Sequence, residues 1–220
     1  MDEMSNTFEG VSEVLFVPYA SSDHDSYLEG ARRFTASAPF NLVGIHEFDD
    51  ALDAVKEAAG IYVGGGNSFL LIHDLHEKGL IEAIRQRVSE GMPYVGISAG
   101  SNVACPTMMT TNDMPVIYPS SYEGFGIVPF QINPHYHPGG ILWREGEEVV
   151  QHFGETRARR IAEFHQHNPA PVIGLFEGTF LRWDGDSATL IGGSAEIFCV
   201  GDTTLRVGHG AILDGSLSPR

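Results

Sequence analysis

Cysteine, lysine and long apolar runs are scarce in this chain, and each scarcity closes off a class of protein. Its two cysteines, Cys105 and Cys199, stand far apart without metal-type spacing. They read as reduced thiols of a cytoplasmic protein, not as a disulfide frame or a zinc site. No apolar stretch approaches the roughly 20 residues that span a bilayer, and Met1-Asp2-Glu3-Met4 lacks the basic start of a signal peptide. Lysine occurs only at Lys56 and Lys78, both in segments patterned as surface helix. A serine–lysine dyad therefore has little to recruit. With a formal net charge of −16 and a pI near 4.8, the chain repels nucleic acid and anionic membrane.

Glycine, by contrast, is plentiful, at 26 of 220 residues, and hydrophobic content is 42%. That combination suits a folded, turn-rich chain with a large core. Through the first two thirds, short apolar runs alternate with helical patterns. Strands are predicted at Glu13–Val17, Leu42–Ile45, Ile61–Val63 and Tyr94–Ile97. Helices are predicted at 25–36, 49–59 (with Asp49 or Asp50 as N-cap), 68–77 and 80–89. Such alternation implies an α/β fold, a mostly parallel sheet with helices on both faces. The last third differs. A helix from Glu155 to His167 and a strand at Val172–Leu175 lead into short strands. These are punctuated by Asp184-Gly185, Gly201-Asp202 and Asp214-Gly215, the pattern of antiparallel hairpins at a sheet edge. Without linkers or repeats, residues 1–220 read as a single α/β domain.

The most informative motif is Gly96-Ile97-Ser98-Ala99-Gly100, a GxSxG sequence directly after an apolar strand. Small neighbours let the backbone turn sharply under a serine that stands clear of the sheet. The helix that follows points free N–H groups at charge developing beside it. GxSxG also marks ordinary strand–helix turns, but its place after a buried strand favours Ser98 as a nucleophile.

Such a serine needs a base. Among ten histidines, His135 in Asn133-Pro134-His135-Tyr136 is distinguished by the proline that stiffens its loop. His165 and His167 read as helix-end residues, and His73 and His76 as surface helix positions. His135 and His137 could form a metal pair, but no third ligand is suitably spaced, so no metal is expected. Two acids compete to orient His135. Glu177 follows the Val172–Leu175 strand, where a carboxylate reaches the sheet's carboxyl edge, and is preferred. Asp113, in the polar loop Thr110–Pro115, is the alternative acid, with a loop-shaping Asx-turn as its plainer role.

Gly64-Gly65-Gly66-Asn67 lies between a strand and a helix, so its bare backbone can aim N–H groups at a substrate. Half an oxyanion hole fits, the other half coming from the Ala99 N–H. Phosphate binding would want a fuller glycine fingerprint with a lysine or ribose-binding acid in register, and neither is present. Arg157, Arg159 and Arg160 crowd one helix start in an otherwise acidic chain. They read equally as a carboxylate clamp and as surface partners of Glu155 and Glu163.

Taken in order, these segments resemble the peptidase E family of α-aspartyl dipeptidases. The resemblance runs from about Val14 to about Gly178. Its motifs are Gly64–Asn67, Gly96–Asn102, Ala104–Thr107, Thr110–Pro115, Gln131–Tyr136, Gly154–Arg157 and Glu177-Gly178. It implies a class I glutamine amidotransferase-like, three-layer fold with serine in place of cysteine at the elbow. It further implies Ser98 as nucleophile, His135 as base, Glu177 as orienting acid, and the Gly66 and Ala99 amides as the oxyanion hole. Arg157 would bind the side-chain carboxylate of an N-terminal aspartate. A small aspartyl peptide is the implied substrate, with no metal or organic cofactor and a homodimer as the usual assembly. The stretch before Val14 is shorter than the strand and helix that precede this strand in other members, so an altered sheet edge is expected there.

Three other readings compete. An α/β-hydrolase-type esterase would use Ser98, Asp184 and His209, because that fold places its acid before its histidine. A cyanophycinase-like hydrolase would act on a polymer. A catalytically silent module would only bind an acidic amino acid.

Overall fold

The computed structural model describes residues 2–139, 142–151 and 155–218. The chain forms two compact units, Met1–Pro129 and Phe130–Arg220.

The first unit runs α1 (Asp2–Thr7), β1 (Glu13–Val17), α2 (His24–Phe34), β2 (Asn41–Gly44), α3 (Ala51–Glu57) and β3 (Ile61–Val63). It continues with α4 (Ser68–Glu77), α5 (Leu80–Ser89), β4 (Tyr94–Gly96) and α6 (Ala99–Val103). All four strands pair in parallel, in the order β2-β1-β3-β4. Because successive strand residues face opposite ways, the sheet buries two apolar sets. Leu15, Val17, Ile61 and Val63 pack with Val55, Leu71, Ile72, Leu75 and Ile84 of α3, α4 and α5. Val14, Phe16 and Tyr62 pack with Met4, Phe8, Leu28 and Ala31 around α1 and α2. Helices thus cover both faces, as the alternating pattern predicts.

The helix starts follow from their caps. Asp23 accepts the Ser26 N–H and begins α2 one residue earlier than expected. Asp50, not Asp49, caps α3 by accepting from Leu52 and Asp53. Asn67 caps α4 through the Phe69 and Leu70 amides. Each such cap is worth about 1 kcal/mol.

The strand order has a functional consequence. From β1 the chain moves to β2 on one side, then returns to β3 on the other. The direction of winding therefore reverses between β1 and β3, the kind of switch point where parallel α/β sheets place ligands beyond the strand ends. Pro18–Ala20 follows β1 there and Gly64–Gly66 follows β3. Their backbones are stitched by Gly64 N–H to Val17 O (3.2 Å) and Asn67 N–H to Ala20 O (2.9 Å).

The second unit begins with β5 (Gln131–Asn133), β6 (Leu142–Glu145), β7 (Glu148–Gln151), α7 (Arg157–Phe164) and β8 (Val172–Leu175). It ends with β9 (Thr179–Trp183), β10 (Ser187–Gly192), β11 (Ser194–Phe198), β12 (Leu205–Gly208) and β13 (Ile212–Asp214). One sheet has the order β12-β11-β8-β5, with β5 and β8 parallel and the rest antiparallel. A second, antiparallel sheet has the order β13-β10-β9. Tyr136, Ile161, Val172 and Phe198 form a core here.

Asp184-Gly185 and Gly201-Asp202 join hairpins as expected. Asp214-Gly215 instead follows β13, where the Asp214 carboxylate gathers the Ser216 and Ser218 amides. The β6–β7 hairpin, turning at Gly146 (φ 65°), adds an element that the hydrophobic pattern does not announce. Among the described residues, no helix is long and apolar enough to cross a membrane.

Candidate active site

Ser98 stands where β4 gives way to α6, in a backbone conformation (φ 53°, ψ −107°) that side-chain-bearing residues rarely adopt. Holding it there costs on the order of 1–3 kcal/mol, which the surrounding contacts must offset. Those contacts are visible. The Ile97 N–H donates to Val63 O (3.1 Å), and the Ser98 carbonyl accepts from the Ser101 and Asn102 amides and the Ser101 hydroxyl. The two flanking glycines are obligatory by volume. A Cβ on Gly96 would lie 2.4 Å from Gly100 O, and one on Gly100 would lie 2.2 Å from Val63 O. GxSxG is here a packing requirement for a strained serine.

The triple glycine lies beside it. A Cβ on Gly65 would come within 3.0 Å of the Ser98 Cβ. Gly66 has φ 127°, and a side chain there would strike Ala20 O. Among the described residues the Gly66 and Ala99 N–H groups make no hydrogen bond, whereas those of Gly64, Asn67 and Ser68 are all taken. Two tyrosines that the sequence reading did not single out brace this backbone. Tyr27 donates to Gly65 O (2.7 Å) and Tyr94 to Gly100 O (2.5 Å). Burial raises the pKa of both hydroxyls, which keeps them protonated as donors. A tyrosine in an apolar pattern carries no signal that separates such a brace from a core residue.

Asp113 is occupied elsewhere. Its carboxylate accepts the Ser68 N–H at the start of α4 (2.7 Å), and its own N–H is held by the Thr111 hydroxyl. This is the loop-shaping role, with Asn67 adding a bond to Met114 O.

In the second unit, β5 and β8 run parallel with Asn133 opposite Gly174. Residues just past the two strand ends are therefore neighbours, and His135 Nδ1 meets Glu177 Oε1 in a hydrogen-bonded pair. His135 also has positive φ (53°), and the adjacent Tyr136 N–H is fastened to Leu175 O (2.8 Å). Among the described non-glycine residues, only Ser98, His135 and Leu217 have positive φ. The pair is open to solvent, with His135 47% and Glu177 78% exposed, so it contributes little to stability. Its geometry needs another explanation.

The arginine cluster divides. Arg160 lies between Glu155 and Glu163 as a surface ion-pair residue. Arg157 is half-buried at the first position of α7, capped by Thr156, and donates to Pro134 O (3.2 Å) next to His135. Burial lowers its pKa, and the Glu177 carboxylate opposes part of that shift. Gly154, the first residue of the motif ending at Arg157, lies outside the described residues.

The remaining predicted positions have ordinary roles. Asp184 accepts the Asp186 and Ser187 amides in its own turn, and His209 Nδ1 accepts the Gly192 N–H. Among the described residues they share no bond, so Ser98, Asp184 and His209 lack the acid–histidine pair of an esterase triad. His165 caps the end of α7, and His76 bonds Glu123 O. His73 departs from the expected surface role, for its Nδ1 is buried with no hydrogen-bond partner among the described residues. Cys105 and Cys199 form no disulfide, and the Cys105 thiol donates to Ser101 O (3.3 Å).

Residues 1–191 match the family model described as Peptidase family S51. The chain belongs to peptidase family S51. It is 42% identical to the peptidase E of Streptomyces coelicolor, over all of this chain and 88% of that protein. It is 47% identical to a probable alpha-aspartyl dipeptidase of Drosophila melanogaster, over 83% of this chain and 73% of that one. A crystal structure of a peptidase from an acI-B1 actinobacterium shares the fold, with a TM-score of 0.68 at 19% identity. It covers 97% of this chain and 90% of that one. A putative peptidase E from Listeria monocytogenes matches with a TM-score of 0.57 at 17% identity, covering 94% and 92%. The S51 assignment makes this chain a serine-type peptidase of α/β fold. The esterase reading is set aside on the same ground.

Proposed function

We propose that this S51 peptidase removes an N-terminal aspartate from dipeptides (Asp-X) through a Ser98–His135–Glu177 triad. The observation that carries the reading is the pairing of strained residues with their chemistry. The left-handed backbone at Ser98 follows β4, that at His135 follows β5, and His135 already bonds a carboxylate through Nδ1. That bond leaves Nε2 as the atom to receive a proton.

In the first step His135 Nε2 takes the Ser98 hydroxyl proton as Oγ attacks the aspartyl carbonyl carbon. The resulting oxyanion accepts hydrogen bonds from the Gly66 and Ala99 amides. His135 then returns its proton to the leaving amine, the C–N bond breaks, and the aspartyl ester remains on Ser98. Water, deprotonated by His135, attacks the ester and releases aspartate. Glu177 holds the imidazole tautomer and stabilises its cation. Arg157 binds the substrate's side-chain carboxylate, a charge-assisted contact favoured by its half-buried position. The names of the Streptomyces and Drosophila relatives support this substrate class. The two units act together as one peptidase domain, working in the cytoplasm as a homodimer and without a metal or organic cofactor.

The test is a hydrolysis panel of Asp-X, Glu-X, Asn-X and Ala-X dipeptides and longer aspartyl peptides, run with EDTA. Asp-X turnover is expected to dominate and to survive chelation, and Ser98→Ala should abolish it while leaving the fold intact. Full residual turnover in that variant would refute the assignment of Ser98. Preferential cleavage of long aspartyl polymers would move the reading to a cyanophycinase-like enzyme.

A further inference from the structure

Gly65 C=O and Gly66 N–H belong to the same peptide unit. Every described peptide bond is trans, so these two groups point in opposite directions from one rigid plane. Whatever fixes the Gly65 oxygen therefore aims the Gly66 N–H. That matters because three consecutive glycines carry no side chain to restrain such a plane, and glycine rotates into either hand of φ with little cost. On the far side of the plane, the Tyr27 hydroxyl donates to Gly65 O at 2.7 Å.

We infer that Tyr27 is the positioning residue of the oxyanion hole, a latch that prevents the Gly65–Gly66 peptide from turning its N–H away from the Ser98 side. The inference rests on the proposed role of the Gly66 amide. Tyr27 is well placed for it. It projects from α2 over the first turn beyond β3, its ring stands edge-on to Phe16 with centroids 5.2 Å apart, and its oxygen fills the space where a Gly64 Cβ would lie, 2.4 Å away. The ring is thus wedged between the core and the triple glycine. A Cβ on Gly64 would displace the hydroxyl, and one on Gly65 would crowd the Ser98 Cβ at 3.0 Å. Two of the three glycines are explained by what presses on the turn from either side. Gly66 is explained by the Ala20 carbonyl. Tyr27 never touches substrate under this reading. Its effect passes through one peptide plane.

The experiment compares Tyr27→Phe with Tyr62→Phe in the full chain. Tyr62 is a buried tyrosine in the same aromatic cluster whose hydroxyl makes no hydrogen bond among the described residues, so it controls for loss of a buried hydroxyl. Deleting an oxyanion donor outright costs roughly 100- to 1,000-fold in kcat, so loosening one should cost about 10- to 50-fold. Tyr27→Phe is expected to lower kcat on Asp-Leu by that factor with KM little changed, while Tyr62→Phe leaves both near wild type. In 15N-labelled protein, the Gly66 amide resonance should shift or broaden in Tyr27→Phe and not in Tyr62→Phe. Equal losses in the two variants, a loss confined to KM, or an unmoved Gly66 amide would each overturn the inference. If the wild-type protein cleaves no Asp-X substrate, the proposed function fails instead. The Gly66 resonance then still decides whether Tyr27 governs this peptide.

Discussion

The serine-bearing unit and the histidine-bearing unit each place one non-glycine residue at φ 53° just beyond a strand end, and they do so by opposite means. Around Ser98 the restraint is backbone against backbone. Gly96 and Gly100 admit main-chain oxygens at distances that no side chain would allow, and the Ser98 carbonyl accepts three hydrogen bonds. Around His135 the restraint is a hydrogen bond to the Glu177 carboxylate, an arginine on the preceding carbonyl and a neighbouring amide tied to β8. A nucleophile has to be aimed to within a fraction of an ångström, which close packing achieves. A base has to be held in one tautomer and has to accept charge, which a carboxylate achieves and packing does not.

The sharpest way to break this contrast is to alter volume on one side and charge on the other. Gly100→Ala inserts a methyl 2.2 Å from Val63 O, a backbone atom of the central sheet that cannot step aside. We expect a stability loss on the order of 3 kcal/mol or more. Turnover should fall at least about 100-fold, because the elbow moves with it. Thermal unfolding and kcat on Asp-Leu, measured together, check both. A variant with wild-type Tm would mean that the elbow is soft and that the glycine reflects something other than crowding.

Glu177→Gln is the matching change on the histidine side. It keeps the shape and removes the charge of an exposed partner, so stability should change by less than about 1 kcal/mol. Catalysis should fall by roughly 100-fold or more, since the imidazole loses both its preferred tautomer and its counter-charge. Urea unfolding paired with kcat/KM reads the two effects separately. A stability loss with catalysis intact would invert the comparison.

These contrasts also mark what could be read from the residues alone. The parallel strands and their helices follow from local pattern: β1, β3, α4, α5 and β8 fall where alternation and caps put them. The serine elbow is equally local, because the glycines that make it possible are its sequence neighbours. The choice between Glu177 and Asp113 is not local. The proposal of Glu177 leans on the register of Asn133 against Gly174 and on the Ser68 amide that Asp113 accepts, pairings between segments more than 35 residues apart. The arginine cluster divides for a similar reason: Glu155 and Glu163 flank Arg160, and only the fold sets Arg157 against Pro134. The β6–β7 hairpin is charged on both strands, so its periodicity gives no apolar face to detect.

Specificity is the next largest expected effect. Arg157→Met should lower kcat/KM for Asp-X by roughly 10- to 100-fold, the worth of a charge-assisted hydrogen bond to a carboxylate. Cleavage of a neutral-P1 substrate should be much less affected. Equal losses would assign Arg157 to the support of Pro134 and His135, making it part of the restraint on the base and not of the substrate site.

The smallest effects should come from the two helix caps next to the site, and they sharpen the comparison most finely. Asn67 begins α4 immediately after Gly66, and Thr156 begins α7 immediately before Arg157. Replacing either with alanine leaves one or two amides unsatisfied and should cost about 1 kcal/mol in each case. The catalytic consequences should differ. Asn67 is joined through its backbone to the Gly66 turn and through its side chain to Met114 O, so Asn67→Ala disturbs the proposed oxyanion donor and should lower kcat. Thr156→Ala frays the turn that presents Arg157, the proposed substrate-binding group, and should raise KM with kcat nearly unchanged. A split of kcat against KM between two changes of equal stability cost is the signature expected if the serine side governs the reaction and the start of α7 governs capture. If both variants move the same parameter, the two sides do not divide the work in this way.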